Sequence, residues 1–202
     1  MRLGCSCSIS ESLRKAFLER WRGRSDIERQ FSPANWGYAS QNPERAYKAQ
    51  CPTLMQYDSL YGEGSSDLWV ETMVTGLFGA SSSREKGNAN GIRVFCQSFA
   101  GQAKGFKLSE LMLFFARYKA GRYDNSYASF DARRIGNAFF KEFIPERNNE
   151  LDRIIREEER MRIERSRFTP PQGYSSLSWY QELKRRAESG DGEAKKLLMR
   201  PL

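Results

Sequence analysis

An all-α fold is predicted for this 202-residue chain, on three observations. Apolar residues recur at helical spacing in several separate segments. Ser, Asp and Asn stand before those segments and Gly or Pro after them, as helix caps and breakers do. A long charged stretch near the C-terminus carries opposite charges four residues apart. The expected architecture is a bundle of about five to six helices, with a charged helical extension and a short helical tail. The segments fall at 1–31 (an amphipathic basic helix), 32–66 (an aromatic-rich connector), 67–145 (the helical core), 146–168 (the extension) and 169–202 (linker and tail).

The first helix is expected from a Ser8–Glu11 capping box to about Phe31. Leu13, Phe17, Leu18 and Trp21 form its apolar stripe, and Arg14, Lys15, Arg20, Arg22, Arg24 and Arg29 lie mostly on the other faces. In the connector, Pro33, Pro43 and Pro52 punctuate the chain, while Trp36, Tyr38, Tyr47, Tyr57 and Tyr61 pin it to the core. Ser65-Ser66-Asp67 caps a helix to Phe78 that carries Trp69, Val70, Met73, Val74 and Leu77. Asn88 or Asn90 caps the next, where Ile92, Phe95, Cys96, Phe99 and Ala103 share one face.

Leu108–Tyr123 (LSELMLFFARYKAGRY) is the most apolar run and the expected central helix. Gly121 suits its C-cap, and Arg117 and Lys119 complement its negative end. A further helix carries Ile135, Phe139 and Phe143, with Phe140 beside them, and Pro145 stops or kinks it. The extension, Glu146 to Arg167, reads as a solvated helix laced by pairs such as Arg153–Glu157 and Glu158–Arg162. After the Thr169–Gly173 linker come two short helices, one with Leu177, Tyr180 and Leu183, the second capped by Asp191.

Charge narrows the function. The net charge is +8, with +6 in residues 84–142 and −4 in residues 51–83. A basic protein attracts nucleic acid, anionic membranes or acidic proteins. No run approaches the roughly 18 apolar residues of a membrane span, and the N-terminus lacks the apolar region of a secretory signal. The four cysteines form no dense framework, so a reducing, cytoplasmic setting is expected. The chain has no histidine, which removes the commonest general base and imidazole metal ligand. It has no glycine-rich phosphate loop either. Cys5-x-Cys7 falls short of the four ligands of a structural zinc site. We therefore expect no catalytic residue, no metal and no cofactor.

Two surfaces remain as candidates. Arg117, Lys119, Arg122, Tyr123 and Tyr127 crowd the loop after the central helix, with Arg133, Arg134 and Lys141 on the next helix. Cations interleaved with aromatics neutralise phosphates and stack on unpaired bases, which suits DNA or RNA. The hairpin 92–119 also has the outline of a helix-turn-helix, but its second helix is too apolar for a recognition helix. Asp58 and Glu63 of the acidic connector, with Trp179 and Tyr180 of the tail, would instead dock a protein partner, as an adaptor or inhibitor does.

The block Glu110–Tyr123, with Tyr127, Phe130-Asp131, Ile135 and Glu146-Arg147, resembles an uncharacterised family of helical proteins from bacterial mobile elements and phages. In that family an E-L-x-L-F-F-x-R-x-K-x-G-x-Y helix precedes an aromatic-Asp turn. The resemblance covers about a quarter to a third of the chain, and Asp124 stands where the family usually has Gly. It implies a genomic setting in which replication accessories are common and carries over no activity.

Overall fold

The computed structural model describes residues 9–78, 86–123, 130–166 and 176–199. As expected, the fold is all-α; among the described residues the only β-type pairing is an isolated bridge, Thr53–Lys107. The chain divides into two compact units, Met1–Asp152 and Arg153–Leu202.

The first unit begins with α1 (Glu11–Arg20) and α2 (Arg24–Gln30), two helices where one was expected. Gly23 separates them, and Ser10 rather than Ser8 is the N-cap of α1, accepting the Leu13 amide. Ser8 lies outside the described residues. Only Phe17 and Trp21 of the expected stripe are buried; Leu13 and Leu18 are exposed. The connector is helical in short pieces: a 3-10 turn at Pro33–Asn35, then α3 (Trp36–Gln41), α4 (Pro43–Lys48) and α5 (Leu54–Tyr61). Each is too short to show a hydrophobic period, and packing rather than propensity stabilises helices of that length.

Next comes α6 (Ser65–Phe78). Ser65 and Ser66 lie inside it and do not cap it. Asp58 meets its N-terminus instead, accepting from the Ser66 amide (2.8 Å) and hydroxyl (2.7 Å). α7 (Lys86–Gln102) starts ahead of Asn88 and buries Ile92, Cys96, Phe99 and Ala100.

At the centre is α8 (Leu108–Lys119), in which every residue from Leu108 to Tyr118 is buried. It packs against α3, α4, α6 and the π-helical segment described below. Hydrogen bonds from Leu54 N–H to Phe106 O and from Leu108 N–H to Pro52 O tie its start to that of α5. At its end Gly121 adopts φ +81°, and the Gly121 and Arg122 amides return to the Tyr118 and Arg117 carbonyls. This is the Schellman closure, which Gly provides without strain.

Pro145 does not end the following helix. α9 (Ala132–Asn137) passes into a π-helical segment (Ala138–Phe143) and on into α10 (Ile144–Ser166). Proline has no amide hydrogen, and its ring clashes with the carbonyl four residues back. The wider π turn accommodates this, with Ile144 N–H reaching Phe139 O, five residues back. Phe139 and Phe143 both point into an aromatic core with Phe99, Phe106 and Phe114, at centroid separations of 4.8–5.4 Å.

In the second unit α10 carries exposed i,i+3 and i,i+4 pairs, Arg162–Glu159 and Arg153–Glu157. Beyond it α11 (Ser176–Glu188) and α12 (Gly192–Leu198) form a hairpin. Gly190 (φ +102°) closes α11, and Asp191 caps α12 while also pairing with Arg186. Leu183, Ala187 and Ala194 form its small core, with Trp179, Leu197 and Leu198 packed against it.

Candidate nucleic-acid interface

Helical periodicity alone would turn Arg117 outward, but α8 is covered on several sides. The Arg117 guanidinium therefore sits in a buried pocket of polar groups. It donates to Tyr47 Oη (3.2 Å) and to both Glu150 oxygens (3.0 and 3.3 Å), and it pairs with Glu146 (3.3 Å). Arg122 also pairs with Glu146, and the Tyr123 hydroxyl donates to the same carboxylate at 2.6 Å. One helical turn of α10 thus supplies two carboxylates that gather Arg117, Arg122 and Tyr123. The fork of an arginine suits such shared carboxylate contacts better than a lysine ammonium does.

The electrostatics fit a structural cluster. Burial works to lower the Arg117 pKa, but Tyr47, Glu150 and Glu146 outweigh it, so the net shift is upward. Burial, then the neighbouring carboxylate, pushes the Tyr47 and Tyr123 phenols well above their ordinary value.

A second buried pair holds the other end of α8. Glu110, only 1% exposed, pairs with Arg147 at 2.8 Å and accepts the Lys107 amide at 3.1 Å. The Arg147 guanidinium also lies 5.0 Å above the Phe106 ring. Glu146 and Arg147 are adjacent, so the first turn of α10 clamps α8 through two pairs of opposite sense. Sequence reasoning missed Tyr47, Glu110, Glu146, Arg147 and Glu150 as members of this cluster. The available signal was Glu110 and Arg117, a carboxylate and a guanidinium inside the most apolar run of the chain.

The expected cationic corner therefore divides. Arg117 is committed inward, and Arg122 and Tyr123 are tied to Glu146. Lys119 is exposed, but its ammonium donates to the Leu77 carbonyl at the end of α6. Tyr127 lies outside the described residues. Arg133, Arg134 and Lys141 are exposed on the α9–π stretch. Arg134 pairs with Asp131 at 3.5 Å, whereas Arg133 and Lys141 have no ion-pair partner among the described residues.

The partner-binding candidates separate too. Asp58 is spent on the start of α6, while Glu63 is exposed in the turn before it. Trp179 packs on the hairpin core, and Tyr180 is 54% exposed.

Two free thiols, Cys51 and Cys96, are buried. Burial pushes both up, Cys96 to about 12, and the Cys51 thiol donates to Ser109 Oγ at 3.1 Å. Among the described residues no group of three or more Cys, Asp or Glu is placed to hold a metal ion. Cys5 and Cys7 lie outside them. No helix among them is long and apolar enough to cross a membrane.

A family described only as a "Family of unknown function (DUF6633)" matches residues 99–191. The match takes in the end of α7 and all of α8, α9, the π segment, α10 and α11. No curated protein and no solved structure matched the chain.

Proposed function

We propose that the protein is a non-enzymatic accessory protein, of the replication or mobile-element type, that contacts the phosphate backbone of nucleic acid. The observation that carries this reading is the outward face of the α9–π stretch. Arg133 and Lys141 are exposed there without ion-pair partners among the described residues, and the exposed amide of Asn137 lies between them. They are eight residues apart, roughly 10–12 Å along the axis, and both face away from buried Ile135, Phe139 and Phe143. Unpaired surface cations spaced along a rigid helix can neutralise successive phosphates and release condensed counterions. The non-enzymatic part rests on three features. The chain lacks histidine, its described thiols are buried and protonated, and buried Glu110 and half-buried Glu146 and Glu150 are occupied by arginines.

The test is fluorescence anisotropy with labelled oligonucleotides at low salt. Wild type should bind, and Arg133→Ala/Lys141→Ala should weaken binding by at least tenfold. Absence of wild-type binding at about 50 mM salt rejects the proposal.

A second reading, a protein-interaction adaptor, draws on the C-terminal hairpin. Leu177 (71% exposed), Tyr180 (54%) and Met199 (82%) stand out on a hairpin with a very small core. A helical hairpin that buries little on its own gains by stacking on another surface. A pull-down with the full chain and with residues 1–166 decides this reading, which requires a partner that only the full chain retains.

A further inference from the structure

The α9–π face holds one apolar group that phosphate contact does not use. Phe140 is 37% exposed, although Phe139 before it and Phe143 after it are fully buried. Its ring is fixed from behind: Phe139 meets it edge-on at 5.0 Å, and Phe99 lies 6.3 Å away. A ring held by buried neighbours loses little freedom when a second flat group covers it. Arg133, Asn137 and Lys141 are exposed on the same continuous helical stretch as Phe140, and Lys141 directly follows it. The neighbouring carboxylate, Glu142, lines the shallow pocket with Arg122, Tyr123 and Glu146.

We propose that this face takes single-stranded nucleic acid, with Phe140 as the stacking platform for one unpaired base and Arg133 and Lys141 on the flanking phosphates. The inference rests on the phosphate-contact reading and adds the class of strand. In a duplex the bases are already stacked on one another, and a ring on the flank of a helix reaches only their edges. Splayed bases of a single strand can cover the ring, as they do on the aromatic platforms of single-strand-binding surfaces. The exposed Asn137 amide, on the same stretch, offers a donor and an acceptor to a bound strand. A bare cationic helix would hold duplex and single strand by charge alone; the aromatic ring between the cations separates the two.

The experiment compares a labelled 20-mer of dT, the same length of rU and a 20-base-pair duplex at about 50 mM salt, by fluorescence anisotropy. Wild type should favour the single strands by at least tenfold. Phe140→Ala should lose roughly five- to hundredfold of single-strand affinity and change duplex binding by less than twofold. Phe140→Trp should restore single-strand binding and show quenching of indole emission on adding dT, relative to wild type. Equal affinity for single strand and duplex, with Phe140→Ala unchanged on both, overturns the strand inference and leaves the phosphate contact standing. Absence of binding to all three probes overturns the phosphate reading along with it.

Discussion

Arg117 and Arg133 are both arginines of the first unit, and their surroundings assign them opposite work. Arg117 is buried among Tyr47, Glu146 and Glu150, so removing its charge leaves two carboxylates facing each other in a half-dry pocket. Breaking a buried pair on one side costs several kcal/mol. We expect Arg117→Met to lower unfolding free energy by about 3 kcal/mol in urea titrations, toward the lower end because the carboxylates keep contact with water. Arg133→Ala should change it by less than about 0.5 kcal/mol. The phenols give a pH signature. Tyr47, Tyr57 and Tyr123 are all raised from an ordinary value of 10.0, chiefly by burial. The protonated phenol is the folded form, so their contribution is present below pH 10 and is lost as pH rises above it, where the unfolded chain ionises first. The urea midpoint should therefore fall steeply above about pH 10, and Tyr123→Phe should flatten that fall.

Among the elements, legibility followed length and isolation. The period of α8, its Gly121 cap and the apolar face of α7 could be read directly, because each is a local pattern longer than two turns. What surrounds α8 could not. Helical spacing ranks the faces of one helix, but the number of neighbours that cover it depends on α3 and α4, which are six residues each and show no period. That is why Arg117 looked outward in sequence and lies inward in the fold. The π segment escaped notice for a related reason: Pro145 signals a break, while the aromatic core around Phe139 and Phe143 favours continuation through a wider turn. Close approach is equally invisible in sequence. A Cβ on Gly76 would lie 2.8 Å from the Pro33 ring and 3.2 Å from Trp36, so α6 meets the 3-10 turn at a point without spare room. Gly76→Ala should cost about 1–3 kcal/mol, measured as a drop in urea midpoint, because the proline ring cannot swing aside.

For the whole molecule, the two compact units and their charges set the terms. The paired groups Arg117, Arg122 and Arg147 against Glu110, Glu146 and Glu150 balance one another within the first unit. Arg133 and Lys141, by contrast, are exposed and have no ion-pair partner among the described residues. The ion pairs of Arg117 and Arg147 lie within residues 1–152, and the hairpin has a core of its own at Leu183, Ala187 and Ala194. A chain truncated after Ser166 should keep both the urea midpoint of the first unit and its oligonucleotide affinity, while losing any partner that the hairpin holds. The most direct test of the central claim is the single-strand affinity of Arg133→Ala/Lys141→Ala, taken alongside its urea midpoint. Phosphate contact by this face predicts at least tenfold weaker binding at an unchanged midpoint, and a salt dependence shallower by about two in log–log slope. Unchanged affinity and slope in that variant would contradict it.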